Sequence, residues 1–249
     1  MKGRCAIPVL CVLLLSSVAV AGCMVSLNPP NVQLNPAQPP SGINSSGTSN
    51  GTAHMLAVEQ AGVEQAGNSN QYSGAISDVI VYAQPGSGHV FVETSPLTGV
   101  DFQTTARDAV TVAAEQAQVN PNQRDFEFVV HVPQGVDAVD GPSAGLPMAI
   151  AAYSAVTKKP ANASVYGTGA IDSAGTVSSV SGVYLKALAA AKSGARVIVV
   201  PSNEVLVSTT SPLATNGDVN LQAQLKKDGY NVTVVGVKRF EDALPYYFA

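Results

Sequence analysis

Asp140-Gly141-Pro142-Ser143-Ala144-Gly145 holds one hydroxyl between two glycines, where a loop gives way to a run of small apolar residues, Leu146 to Val156. Gly141 and Gly145 permit close backbone approach, and Pro142 stiffens the entry. The first N–H groups of a helix lack helical partners and favour negative charge. A serine at such a point has two readings. It is an ordinary N-cap of a core helix, or it attacks a carbonyl whose oxyanion the free N–H groups then hold. The second residue that bears on the choice is Lys186. Val183 to Ala191 reads as a helix rich in Ala and Leu, with Lys186 its only charge before Lys192. Such a helix packs closely, so its lysine is either buried or snorkels to solvent. Burial lowers a lysine's pKa from about 10.4 toward neutrality and makes the amine a base.

Together these segments resemble the proteolytic domain of Lon proteases, the Ser-Lys dyad peptidases of family S16. The resemblance runs from His131-Val132-Pro133-Gln134-Gly135 through Asp140 to Gly145 and Gly167-Thr168-Gly169, and on to Lys186. It continues from Ala190 through Lys192-Ser193-Gly194-Ala195-Arg196 to Pro201. It implies Ser143 as nucleophile and Lys186 as general base, with Gly141, Pro142 and Ala144 shaping the loop that carries the serine. Thr168 matches a threonine beside the family's dyad, which suggests a hydrogen bond that orients the lysine; as a residue type it is equally an ordinary strand threonine. Asp140 accepts loop N–H groups or holds a proton-bearing partner near Ser143. The first role is favoured, because a carboxylate beside an oxyanion repels it. His131, near a strand end, reads as a structural or loop-positioning residue.

The fold implied is α+β, a Lon proteolytic-domain-like mixed sheet with packed helices (ribosomal protein S5 domain 2-like). The implied partners are polypeptide substrates and a homo-hexameric ring. Three positions depart from the common family pattern. Ala170 stands where an acid usually follows Thr-Gly, Val139 where a lysine precedes the serine loop, and Ser181-Gly182 where Gly-Gly precedes the lysine helix. No G-x-x-x-x-G-K-[S/T] phosphate loop occurs, and no room for an ATPase module precedes His54. The expectation is therefore an ATP-independent endopeptidase acting on unfolded or flexible chains, without cofactor or metal. Its rival is a Lon-like peptide-binding or assembly module that no longer cleaves.

The elements that must position these residues follow from local pattern. Ala75 to Ala83 and His89 to Thr94 are β-branched and apolar around Pro85-Gly86-Ser87-Gly88, a hairpin signal. Asp101 to Val119 carries apolar residues at helical spacing and stops at Asn120-Pro121. Asp125 to Val132 predicts a strand, Pro133 to Val139 a loop and Ser143 to Thr157 the central helix. Pro147 inside that helix requires Ser143 to lie in its first turn. Ser164 to Ile171 and Val197 to Val200 predict strands, Val205 to Asn216 a loop, and Leu221 to Lys227 a helix. Asn231 to Val237 predicts a last strand and Arg239 to Phe248 a terminal helix burying Phe240, Leu244 and Tyr247.

The 249 residues are 46% hydrophobic and 12% charged, ample for a core, and a net charge of −4 without a basic run points away from nucleic acid. Residues 1–25 read as a targeting segment, with Lys2 and Arg4 ahead of an apolar stretch. Three fates are open: a lipoprotein signal with Cys23 lipidated, ordinary cleavage after Ala21, or an uncleaved anchor of about 20 residues. All three put the chain outside the cytoplasmic membrane, tethered or secreted. Residues 26–54, rich in Pro, Asn, Ser and Gly, read as a disordered tether, and 55–249 as the peptidase domain. Cys5, Cys11 and Cys23 are the only cysteines, so the domain has no disulfide and no thiolate. His54, His89 and His131 are scattered and form no metal motif. The immediate repeat Val58 to Gly62 and Val63 to Gly67 is too short for a solenoid.

Overall fold

A computed structural model describes residues 47–60, 72–134, 136–211, 213–215 and 217–249. The leader with Cys23, most of the tether and the second copy of the five-residue repeat lie outside them. Among the described residues no helix is long and apolar enough to cross a membrane.

The frame is a long antiparallel pair, β1 (Ser49–Gln60) and β2 (Tyr72–Pro85), in register from Ser49 opposite Ala83 to Gln60 opposite Tyr72. Of the range 26–54 expected as a disordered tether, Ser49 to His54 are instead in the sheet. Those residues carry no charge, but Gly51 gives helix-to-sheet contact a place to form, and pairing with Tyr82, Val81 and Ile80 supplies the strand. β3 (Val90–Val92), β5 (Arg124–His131), β7 (Val165–Gly167), β10 (Val197–Pro201) and β13 (Thr233–Val237) complete a seven-stranded sheet. Its order is β13-β10-β7-β1-β2-β5-β3, parallel from β13 to β1, antiparallel across β2, and parallel again between β5 and β3. The α+β mixed sheet is as expected, but the hairpin between 75–83 and 89–94 is not formed. β5 lies between β2 and β3 and takes the ladder bonds that the short turn would have given to a neighbour.

Three short pairs are added: β4 (Leu97–Thr98) with β6 (Ala138–Val139), β8 (Ala170–Ile171) with β9 (Val177–Ser178), and β11 (Leu206–Val207) with β12 (Val219–Asn220). The last gives part of the loop expected over 205–216 a strand.

Alternation along each strand sends successive side chains to opposite faces, and each face is covered by helices. Val79, Val81 and Ala83 of β2 meet Ala53 and Met55 of β1 beneath α1 (Val100–Gln116) and α2 (Gly145–Thr157). Leu146, Met148, Ile150 and Ala151 of α2 are fully buried, because the sheet, α1 and α5 (Phe240–Tyr247) surround it. Phe240 and Tyr247 face this core, with Leu244 packed beside it. On the opposite face α3 (Val183–Lys192) and α4 (Leu221–Lys227) pack Val183, Ala187, Leu221 and Leu225 against Leu56, Tyr166 and Ile198. Gly74 sets the height of α3: a Cβ there would lie 2.1 Å from the Leu185 carbonyl oxygen. That close approach brings the next residue, Lys186, into the sheet's interior.

Candidate active site

The serine loop is fixed from both ends. Asp140 Oδ1 accepts from Gly141 N at 2.8 Å and from Phe102 N, in the first turn of α1, at 3.2 Å. Asp140 thus has the N–H-accepting role, and it caps α1 from a distant part of the chain. Gly141 follows with φ 102°, in the left-handed region that glycine adopts without strain. Pro142–Ala144 form a single 3-10 turn, and the α-helix proper starts at Gly145 rather than at Ser143. Pro147 consequently falls in the first turn of α2, where its missing N–H costs no helical bond.

Opposite the loop, β7 ends at Gly167; Thr168 still bonds to β10, while Gly169 turns to the serine loop. Thr168 N donates to Val199 O at 3.1 Å, Gly169 N donates to Ser143 O at 3.1 Å, and Leu146 N donates back to Gly169 O at 3.0 Å. The predicted strand over 164–171 is therefore split into β7 and β8, and the split locks the serine loop against the sheet. Thr168, with 0% exposure, places its hydroxyl between the two residues of interest. Its Oγ1 donates to Ser143 O at 3.2 Å and accepts from Lys186 Nζ at 3.3 Å. Ser143 is partly buried, and its own hydroxyl makes no hydrogen bond to Lys186 among the described residues. Loop, threonine and lysine thus converge, with Thr168 as the link.

Lys186 is 3% exposed and does not snorkel. Desolvation lowers its pKa to about 8, against an opposing rise from the Glu204 carboxylate. At pH 7 roughly a tenth of the amine is then neutral, against less than about a thousandth for an ordinary lysine.

A cleft of about 480 Å³ opens beside Ser143, lined by Met55, Ala75, Ser77, Phe102, Val132 and Gly141 among others. Glu59, Asp137 and Asp140 also line it, so the cleft presents polar as well as apolar groups. His131 is exposed at the end of β5, immediately before the Val132-Pro133 stretch that lines the cleft. Among the described residues no group of three His, Cys, Asp or Glu could hold a metal. Glu204, on the turn after β10, went unnoticed in the sequence although it is wholly buried.

A mixed sheet with helices on both faces, holding a buried amine beside a glycine-flanked serine loop, defines an α+β domain with a hydroxyl–amine site. The chain belongs to the Lon protease (S16) C-terminal proteolytic domain family, whose model matches residues 49–227. Relatives include a Lon protease of Roseiflexus castenholzii, 38% identical over 121 residues, 47% of this chain and 15% of that protein. Lon protease 1 of Sorangium cellulosum is 33% identical over 152 residues, 59% of this chain and 18% of its own length. A Lon protease of Buchnera aphidicola is 36% identical over 107 residues, 41% of this chain and 14% of the relative. The match therefore spans less than a fifth of each of these relatives.

Proposed function

We propose that the chain is a serine endopeptidase in which Ser143 is the nucleophile and Lys186 its general base. The observation that carries this is a lysine with 3% exposure and a pKa lowered to about 8, tied through Thr168 to the backbone of the serine. Neutral Lys186 takes the proton from Ser143 Oγ as that oxygen attacks the scissile carbonyl. Backbone N–H groups around Ser143 hold the oxyanion. The protonated Lys186 then gives its proton to the leaving amine, and water hydrolyses the acyl ester. Thr168 keeps the amine beside the serine loop, from which it turns to reach Ser143 Oγ.

The chemistry uses no nucleotide, and no phosphate loop occurs in the 249 residues. Our reading is ATP-independent cleavage of unfolded or flexible polypeptides. The cleft beside Ser143, lined by both apolar and polar groups, is where a peptide would lie. The leader's composition supports a place outside the cytoplasmic membrane, tethered or secreted, and the family resemblance supports a ring of six copies.

The rival reading, a binding or assembly module, is favoured by one observation: Ser143 Oγ is not bonded to Lys186 in the single chain. Incubating the protein with a casein-like disordered substrate, with and without ATP, separates the two. Cleavage that ATP leaves unchanged and Ser143→Ala abolishes is expected. Equal peptide binding by the wild type and Ser143→Ala, with no cleavage by either, would establish the rival.

A further inference from the structure

Lys186 and Glu204 are the only buried charged side chains among the described residues. Lys186 has three N–H donors and uses one, on Thr168. Glu204 is 0% exposed, and neither carboxylate oxygen has a hydrogen-bond partner. An unpaired buried carboxylate is costly, and a fold keeps one only where something offsets the cost. The site supplies the offset. Glu204 sits on the turn that continues β10, the strand whose Val199 accepts from Thr168 N.

We propose that Glu204 is a positioning residue for Lys186: its buried carboxylate is the countercharge for the ammonium that forms when Lys186 takes the Ser143 proton. The two are not in salt-bridge contact, so the carboxylate acts through its field and leaves the amine free to turn toward Ser143. Each group is felt by the other. Glu204 raises the proton affinity of Lys186, and Lys186 lowers that of Glu204, whose pKa burial otherwise pushes up. The Ser179 hydroxyl and the Val180 amide also favour the charged carboxylate, without hydrogen bonds of ordinary geometry. Other charged groups on the elements around α3 are differently engaged. Asp228 of α4 accepts from Tyr184 Oη at 3.0 Å and from Gln224, Asp78 of β2 is bonded to His54 of β1, and Lys192 is exposed. Of these, only Glu204 acts on Lys186.

The inference rests on the proposed catalysis for its meaning, but its test need not. In ¹³C-lysine-labelled protein, the Lys186 Cε resonance, assigned by its loss in Lys186→Met, is titrated in wild type and in Glu204→Gln. We expect the variant's midpoint to fall by about one pH unit, because the neighbouring charge is gone. In the activity profile the acid limb moves the same way, giving about tenfold more activity at its foot. The alkaline plateau falls, because the ammonium has lost its countercharge. A residue with only a structural role lowers the whole profile evenly. If Glu204→Gln does not fold, Glu204→Asp keeps the charge but withdraws it by one methylene, and a smaller shift in the same direction is expected. An unmoved Lys186 midpoint in whichever variant folds overturns the proposal, and it does so whether or not the chain proves to be a peptidase.

Discussion

The sheet carries two polar clusters, and they are built in opposite ways. At the end of β7, Lys186 is buried, makes one hydrogen bond and has its pKa lowered. In mid-sheet, His54 of β1 is partly buried and fully partnered. Its Nδ1 lies 2.5 Å from Asp78 Oδ1, its Nε2 lies 3.1 Å from Ala163 O, and its ring stacks on Tyr166 at 4.2 Å. Both nitrogens face acceptors, so the imidazolium is the form that satisfies both. The hydrogen bond to Asp78 is the main cause of its raised pKa, against the lowering by burial. The difference teaches which feature makes a base. Desolvation with few partners lowers a cation's pKa and leaves an amine able to accept a proton. Saturated partners raise it and leave a clasp.

The largest test of that contrast is at the buried cluster. Ser143→Ala should lower cleavage by on the order of 10⁴-fold, and Lys186→Met by on the order of 10³-fold, while His54→Asn leaves turnover nearly unchanged in the same assay. Thr168→Val, which removes one hydrogen bond at each side, should cost about tenfold in kcat/KM, with a near-normal KM.

The pairing of Lys186 with Glu204 can be sharpened by stability. Lys186→Met and Glu204→Gln each break a buried charge couple, whereas the double variant leaves no buried charge. A double-mutant cycle in urea should therefore find the double variant more stable than the sum of the singles, by about 1–3 kcal/mol. Additive losses would mean that the two groups do not act on one another.

The smallest effect belongs to the clasp, and its sign is the reverse of a carboxylate's. His54 binds its proton more tightly folded than unfolded, so its contribution is complete below its ordinary value of 6.5 and fades as pH rises through the folded one. His54→Asn should lower Tm by a few degrees near pH 5 and by less near pH 9, as thermal unfolding across that range would show.

Much of the candidate site was legible in the sequence, because Ser143, Thr168 and Lys186 stand in short motifs whose glycines and small residues announce close packing. Asp140 as an acceptor of loop N–H groups was legible for an electrostatic reason: a carboxylate beside an oxyanion is repelled. Other features depend on distant chain. The hairpin expected from Pro85 to Gly88 was displaced by β5, a partner more than thirty residues further on that no local pattern reveals. Ser49 to Ala53 look like a linker until Tyr82, Val81 and Ile80 are set beside them. Glu204 stands in no motif, and its burial beside Ser179 and Val180, which lie well before it in the chain, leaves no local signal.

The central claim is that Lys186 works as a neutral amine. It is tested most directly by kcat/KM of the wild-type protein on a disordered substrate between about pH 6 and 10. The account predicts a rate that rises tenfold per pH unit at the acid end and levels off through a midpoint of about 8, matching the Lys186 Cε titration. A profile flat down to pH 6, or a Lys186 resonance that titrates only above pH 10, would contradict it.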